Sequence, residues 1–384
     1  MGFEFVTSPR IVFERGAVKR LPGLCNGFGK RFLVVTGGGS LKRSGVLDAL
    51  LTGMAAQGIT CTVYDGAAGE PTPDMVDAAA ALGCTVGADA VLGIGGGSAM
   101  DTAKAAAGVI TNGGSVRSYL EGVGDGSKIT ADPLPFIAAP TTAGTGTEVT
   151  KNAVIMSVKD KFKASIRDDR LMARIAVVDP ELTVSVPQSV TAASGMDAIC
   201  QLIESFTALQ ANAFCDAMAL YHTPRAIDAL KRAYDDGSDL DARETMSLAA
   251  MVSGMCLANA GLGAAHGIGA GLGAVLGVQH GVACGMLLPH VMRYNCEHGV
   301  TKYAELAPAV CGRHFADGRE GAAAVAEAVE ALGRYVGLPE SLRELGVSED
   351  NLDELALASM GSSMKKNPVA FTPDSCREFI RSLI

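Results

Sequence analysis

The 384-residue chain has no C-x-x-C pair among its ten cysteines, which are scattered from Cys25 to Cys376. That scatter excludes a zinc ribbon and a disulfide framework, and it reads as the reduced thiols of a cytoplasmic protein. Positive charge is in short supply, with 32 Lys and Arg against 41 Asp and Glu and a formal net charge of -9. Such a balance repels phosphate backbones, so no nucleic-acid partner is expected. Every apolar stretch is broken by Gly, His or a charge before about eighteen residues, so no transmembrane helix and no membrane partner is expected. The N-terminal MGFEFVTSPRIVFERG has acidic residues and no apolar core of its own, and is no signal peptide.

Glycine is plentiful, at 47, and clustered rather than periodic, which suggests backbone approaching a ligand. From about residue 30 to 180, short apolar runs alternate with amphipathic helical stretches. The runs RFLVVT (31–36), TCTVYD (60–65), DAVLGIG (89–95), PFIAAPTT (135–142) and IAVVDP (175–180) read as strands. Strands apolar on both faces and alternating with helices predict an α/β domain with a parallel sheet. Near the start, FEFVTSPRIVFE reads as two further short strands. Beyond about 187 the periods are three and four, which predicts an all-helical domain. The boundary is placed at 183/184, giving domains 1–183 and 184–384 that pack around a shared cleft, a favoured ligand position.

GIGGGSAMDTAK (93–104) follows a strand and opens a helix. Gly95, Gly96 and Gly97 let backbone approach a diphosphate, and the helix start supplies N–H donors. The spacing is neither G-x-G-x-x-G nor Walker A, and a tight strand–helix turn is the bland alternative. APTTAGTGTE (139–148) repeats the theme after another strand. The loop after the first strand, Gly37-Gly38-Gly39-Ser40 with Lys42 and Arg43 behind it, has no carboxylate to accept from an adenosine 2′-hydroxyl. It tolerates a 2′-phosphate, which favours NADP(H) over NAD(H).

Asp197 and Gln201 lie four residues apart, on one face of a helix. His266 and His280 would sit about 21 Å apart on one unbroken helix, so a shared ion requires a bend, which Gly267, Gly269, Gly271, Gly273 and Gly277 make feasible. An Asp, an amide oxygen and two imidazoles suit Fe²⁺ or Zn²⁺. Hydrogen-bonded core or interface histidines are the competing reading. His222, His290, His298 and His314 read as structural or surface groups, with His290 the one to watch.

In GIGGGSAMDTAK, PTTAGTGTEVT, VVDPEL, GMDA…IE, NAGLG..H and QHG.A….LPHV, taken in order, the chain resembles the iron-containing (group III) alcohol dehydrogenases along essentially its whole length. The resemblance implies a dehydroquinate synthase-like fold, a dinucleotide-binding α/β domain before a helical metal domain. It also implies reversible hydride transfer between NAD(P)H and a small aldehyde or primary alcohol, and a homodimer joined through the N-terminal region. By position it puts the diphosphate on Gly95, Gly96, Gly97 and Ser98 with Asp101 beside them. Thr141, Thr142 and Thr145 fall at the nucleotide, Gly37, Gly38, Gly39 and Ser40 at an NADPH-preferring end, and Lys163 near the nicotinamide. Asp197, His266 and His280 match three family ligands. Gln201 stands where the family has a third His, and Ala270 where members carry another His near the substrate. The amide oxygen of Gln201 is a weaker donor than imidazole and lowers the expected iron affinity, and Ala270 cannot deliver a proton. They leave two other readings: a metal-independent reductase of an acidic oxo-substrate held by Lys163 or Arg167, and a nucleotide-binding protein with impaired catalysis.

Overall fold

The computed structural model describes residues 2–384. Eight strands are present among them: β1 (Ile11–Phe13), β2 (Arg31–Val35), β3 (Thr60–Tyr64), β4 (Ala90–Gly95), β5 (Phe136–Pro140), β6 (Asn152–Ser157), β7 (Phe162–Arg167) and β8 (Ile175–Val178). Six of these build one sheet in the order β1-β8-β5-β4-β2-β3, every pairing parallel. Side chains alternate across it as the period of two demands. Phe32, Val34, Leu92, Ile94, Ile137 and Val177 pack on one face against Leu21, Leu47 and Met54. Leu33, Val35, Val91, Phe136 and Ala138 pack on the other against Val76, Ala79, Ala103 and Ala106. A sheet buried on both faces explains why its strands read as continuous apolar runs.

Two departures from the sequence reading concern strands. The N-terminal stretch holds one strand, not two. Val6 pairs its N–H and carbonyl with the side-chain amide of Asn259 (2.6 and 2.9 Å), so that backbone has no need of a neighbouring strand. The antiparallel hairpin β6–β7 was not foreseen: β6 (NAVIMS) is mostly buried and shows no alternation, but the strict apolar–polar alternation of FKASIR in β7 was an available signal.

From Gln188 onward the described chain is helical. The helix Gln188–Thr207 is the central element, buried along nearly its full length and surrounded by the helices Ala213–Asp235, Leu240–Ala260 and His280–Glu297. No single helix among the described residues is long and apolar enough to cross a membrane.

β3 lies on one side of β2 and β4, next in sequence, on the other. The order therefore reverses between β2 and β4, and a crevice opens beyond their carboxyl ends, where open α/β sheets bind ligands. β2 runs there into residues 36–40 and β4 into Gly95–Gly97.

Candidate active site

The helix Gly97–Asn112 starts one residue beyond Gly96 with no side-chain cap, leaving its first N–H groups free for an anion. Gly95 has φ +156°, and a Cβ on Gly97 would lie 2.8 Å from Thr145 Cγ2, so both glycines are required by geometry. Ser98 Oγ is buried in this loop without a partner among the described residues.

Asp101 and Lys104, one turn further, tie the helix to the opposite loop. The Asp101 carboxylate accepts from Thr147 Oγ1 and from Val154 N (3.0 Å). Lys104 is fully buried and donates to Thr147 O (2.7 Å), Thr150 O (2.9 Å) and Asn152 O (2.8 Å). Burial lowers its pKa to about 8, against the opposing pull of Asp101 and Glu148. Sequence reasoning overlooked Lys104, whose spacing from Asp101 was the available signal. Thr141 donates its backbone N–H to Gly95 O (2.8 Å), and Thr142 and Thr145 line the cleft.

Gly38 (φ +58°) and Gly39 (φ +72°) turn the chain after β2 into the short helix Ser40–Arg43. A Cβ on Gly37 would lie 2.0 Å from Ala67 O, so the loop packs tightly on the chain after β3. The Arg43 guanidinium folds back over the turn and donates to Gly38 O (3.3 Å).

His266 and His280 belong to the successive helices Ala264–Leu276 and His280–Glu297. The break falls at Gly277, which caps the first helix in the left-handed region (φ +71°). Of the five candidate glycines, this is the one that turns the chain. It brings the two rings to a centroid distance of 5.3 Å, edge to face. Asp197 Oδ1 lies 3.3 Å from His266 Nε2 and 3.9 Å from His280 Nε2.

Glu204, two turns along the helix from Asp197, accepts from His266 Nδ1 (2.6 Å), Gly263 N (2.9 Å) and Ala265 N (2.7 Å). It thus caps the helix that carries His266 and directs that ring's Nε2 lone pair towards Asp197. Gln201, the expected fourth donor, instead donates from Nε2 to Asp197 Oδ2 (3.1 Å) and accepts at Oε1 from Ser253 (2.8 Å).

Asp197 Oδ1 and His266 Nε2 are buried and have no hydrogen-bond partner among the described residues. Two unsatisfied acceptors this close are costly unless something between them is shared. A divalent cation satisfies both, so the donor set fits one. Cys284 also reaches this cluster, and its Sγ is 3.7 Å from His280 Nε2.

Lys163 on β7 bonds Glu70 (3.1 Å). Burial pushes the Glu70 carboxyl up, but Lys163 and His280 outweigh it and hold the pKa below the usual range.

Gly96, Gly97, Ser98, Thr142 and Thr145 share one cleft of about 780 Å³ with Lys163, Asp197, Gln201, His266, Ala270 and His280. The glycine cradle of the front half and the Asp/His set of the rear half therefore open onto the same space. Position 270 presents only a methyl group to it. His290 lies elsewhere, in a crevice of about 60 Å³ beside Glu330 and Pro339.

A family model described as iron-containing alcohol dehydrogenase matches residues 8–180, and one for the C-terminal part of the Fe-containing alcohol dehydrogenase family matches 191–384. The 4-hydroxybutyrate dehydrogenase of Cupriavidus necator is 36% identical over 369 residues, covering 93% of this chain and 94% of that one. The lactaldehyde reductase of Escherichia coli strain K12 is 36% identical over 355 residues, covering 91% and 90%. A solved 1,3-propanediol oxidoreductase shares the fold with a TM-score of 0.93 at 30% identity, covering 100% of both chains. The chain belongs to the iron-containing alcohol dehydrogenase family. It is an oxidoreductase of alcohols and aldehydes that depends on a nicotinamide dinucleotide.

Proposed function

We propose that this enzyme reduces a small aldehyde reversibly, prefers NADPH as hydride donor, and holds a divalent ion, Fe²⁺ or Zn²⁺, on Asp197, His266 and His280. The observation that carries this reading is the single cleft onto which both the Gly96–Ser98 loop and those three donors open.

The uncapped start of the helix Gly97–Asn112 binds the diphosphate through backbone N–H groups, and Ser98 Oγ adds a hydroxyl. Residues 37–40 flank the adenosine end, where Arg43 lies over the turn and no carboxylate repels a 2′-phosphate. That arrangement supports NADPH over NADH. Lys163, fixed by Glu70, stands towards the nicotinamide end.

Asp197 and the two imidazoles converge on a point that a divalent ion can occupy, with Glu204 locking the His266 tautomer. When bound, such an ion polarises a carbonyl as a Lewis acid, and the dinucleotide supplies the hydride. Gln201 steadies Asp197, and its oxygen joins the donor set only if the amide turns away from Ser253. Ala270 has no proton to give, so the proton reaches the product from solvent in the cleft. The orientation of Gln201 keeps a metal-independent reductase as the second reading.

All ten cysteines are free among the described residues, in keeping with a reducing, cytoplasmic setting. The exposed Phe3 and Phe214, with ring centroids 5.3 Å apart, form an aromatic patch beside the N-terminal stretch that suits a homodimer contact. The domains are taken as 1–183 and 184–384.

The deciding experiment measures NADPH oxidation over a panel of short aldehydes, by purified enzyme that is metal-free, Fe²⁺-loaded or Zn²⁺-loaded. Turnover restored by metal is expected. Full turnover in the metal-free sample would overturn the role of the ion, and no turnover in any sample would overturn the reading as a whole.

A further inference from the structure

One end of the cleft carries charge that neither the diphosphate nor the ion site uses. Lys163, Ser165 and Arg167 on β7 face the cleft together with Asn152 and Val154 of the paired strand β6. Arg167 lies four residues along the strand from Lys163, about 13 Å away, beyond the cluster around Glu70 and His280. Lys151 and Lys366 line the same end.

Lys366 comes from the helical half of the chain. Its carbonyl is held by Leu209 N (2.9 Å), and its side chain lies across Gly261, where a Cβ would meet Lys366 Cδ at 2.1 Å. Gly261 has φ +82°, so that position favours glycine for two reasons.

The partners of these three cations are unequal. Lys151 is paired with Asp169 (2.6 Å), and Arg167 uses only Nε, on Glu121 (3.0 Å). Lys366 Nζ is half-buried with no carboxylate or hydrogen-bond partner among the described residues, and the Arg167 terminal nitrogens are equally free among them. Three positive charges against two carboxylates leave one in surplus. Burial, and after it the nearby charges of Arg167 and Lys151, lower the Lys366 pKa against the opposing pull of Glu121, which Arg167 already engages. A partly desolvated ammonium with no ion-pair or hydrogen-bond partner of its own is unfavourable until an anion enters.

We propose that the substrate carries, besides its carbonyl, an anionic group of carboxylate, sulfonate or phosphonate type, bound by Lys366 and Arg167 at this end of the cleft. The proposal rests on the aldehyde-reductase reading and deepens it by naming the substrate class. The three oxyanions share the chemistry that a lysine and a guanidinium recognise.

The test compares kcat/KM for aldehydes of equal length ending in a methyl, carboxylate, sulfonate or phosphonate group. The wild-type enzyme is expected to favour at least one anionic aldehyde over the neutral one by tenfold or more, about the effect of one charge-assisted hydrogen bond. Lys366→Ala should cut that ratio about tenfold, mainly through KM, and Lys366→Arg should restore most of it. The preference among the three anions names the source. A flat profile in the wild-type enzyme, or a Lys366→Ala variant that keeps the preference, would overturn the proposal. Calorimetric titration with methylphosphonate and with acetate needs no turnover. Binding of either that weakens about tenfold in Lys366→Ala supports the site even if no aldehyde is reduced, and binding of neither refutes it.

Discussion

His266 and His280 meet edge to face at 5.3 Å across the break at Gly277, although a straight helix would hold them about 21 Å apart. The turn makes one site out of two helices. Removing either imidazole should therefore undo the whole donor set. In His266→Ala or His280→Ala, bound metal is expected to fall below about a tenth of the wild-type content, and kcat about a hundredfold or more. Metal analysis alongside steady-state kinetics checks this, and wild-type metal content in either variant would refute the assignment.

Gln201 occupies a position from which an imidazole would reach the same centre, yet its amide bridges Asp197 and Ser253. Gln201→His should strengthen Fe²⁺ retention about tenfold, because imidazole is a better donor than a neutral amide oxygen. Competition with a chromophoric chelator measures it. Unchanged retention would show that position 201 lies outside the ion's reach.

Arg43 folds over the Gly38 carbonyl, in the loop proposed to flank the adenosine ribose. Arg43→Ala is expected to raise the KM for NADPH about tenfold more than that for NADH. Equal effects on both cofactors would remove Arg43 from 2′-phosphate recognition.

Burial pushes the Glu148 carboxyl up to about 7, against an ordinary value of 4.5. Between those values the folded protein keeps a proton that the unfolded chain has released, so unfolding releases it and stability falls as pH rises through this window. Glu148→Gln should flatten that part of the profile. Thermal unfolding at intervals from pH 5 to pH 8 tests it, and a variant that keeps the wild-type slope would assign the effect to another group.

The parallel sheet, the helical second half and the glycine loop were legible along the chain, because each is written in local periodicity or in adjacent residues. Leu33 and Phe32 alternate between two buried faces, and Gly95–Gly97 follow a strand directly. The hairpin β6–β7 was legible only in part, since FKASIR (162–167) alternates apolar and polar residues whereas its partner NAVIMS, mostly buried, does not. The set of candidate ligands was nameable from residue types, but not its assembly. Only the packed chain decided that Gly277, and not its four neighbours, turns the helix, that Glu204 orients His266, and that Lys366 crosses Gly261 into the cleft that Arg167 also lines. Such contacts join residues tens to hundreds of positions apart. Helix packing and hydrogen-bond satisfaction set them, and neither leaves a periodic trace in the order of amino acids.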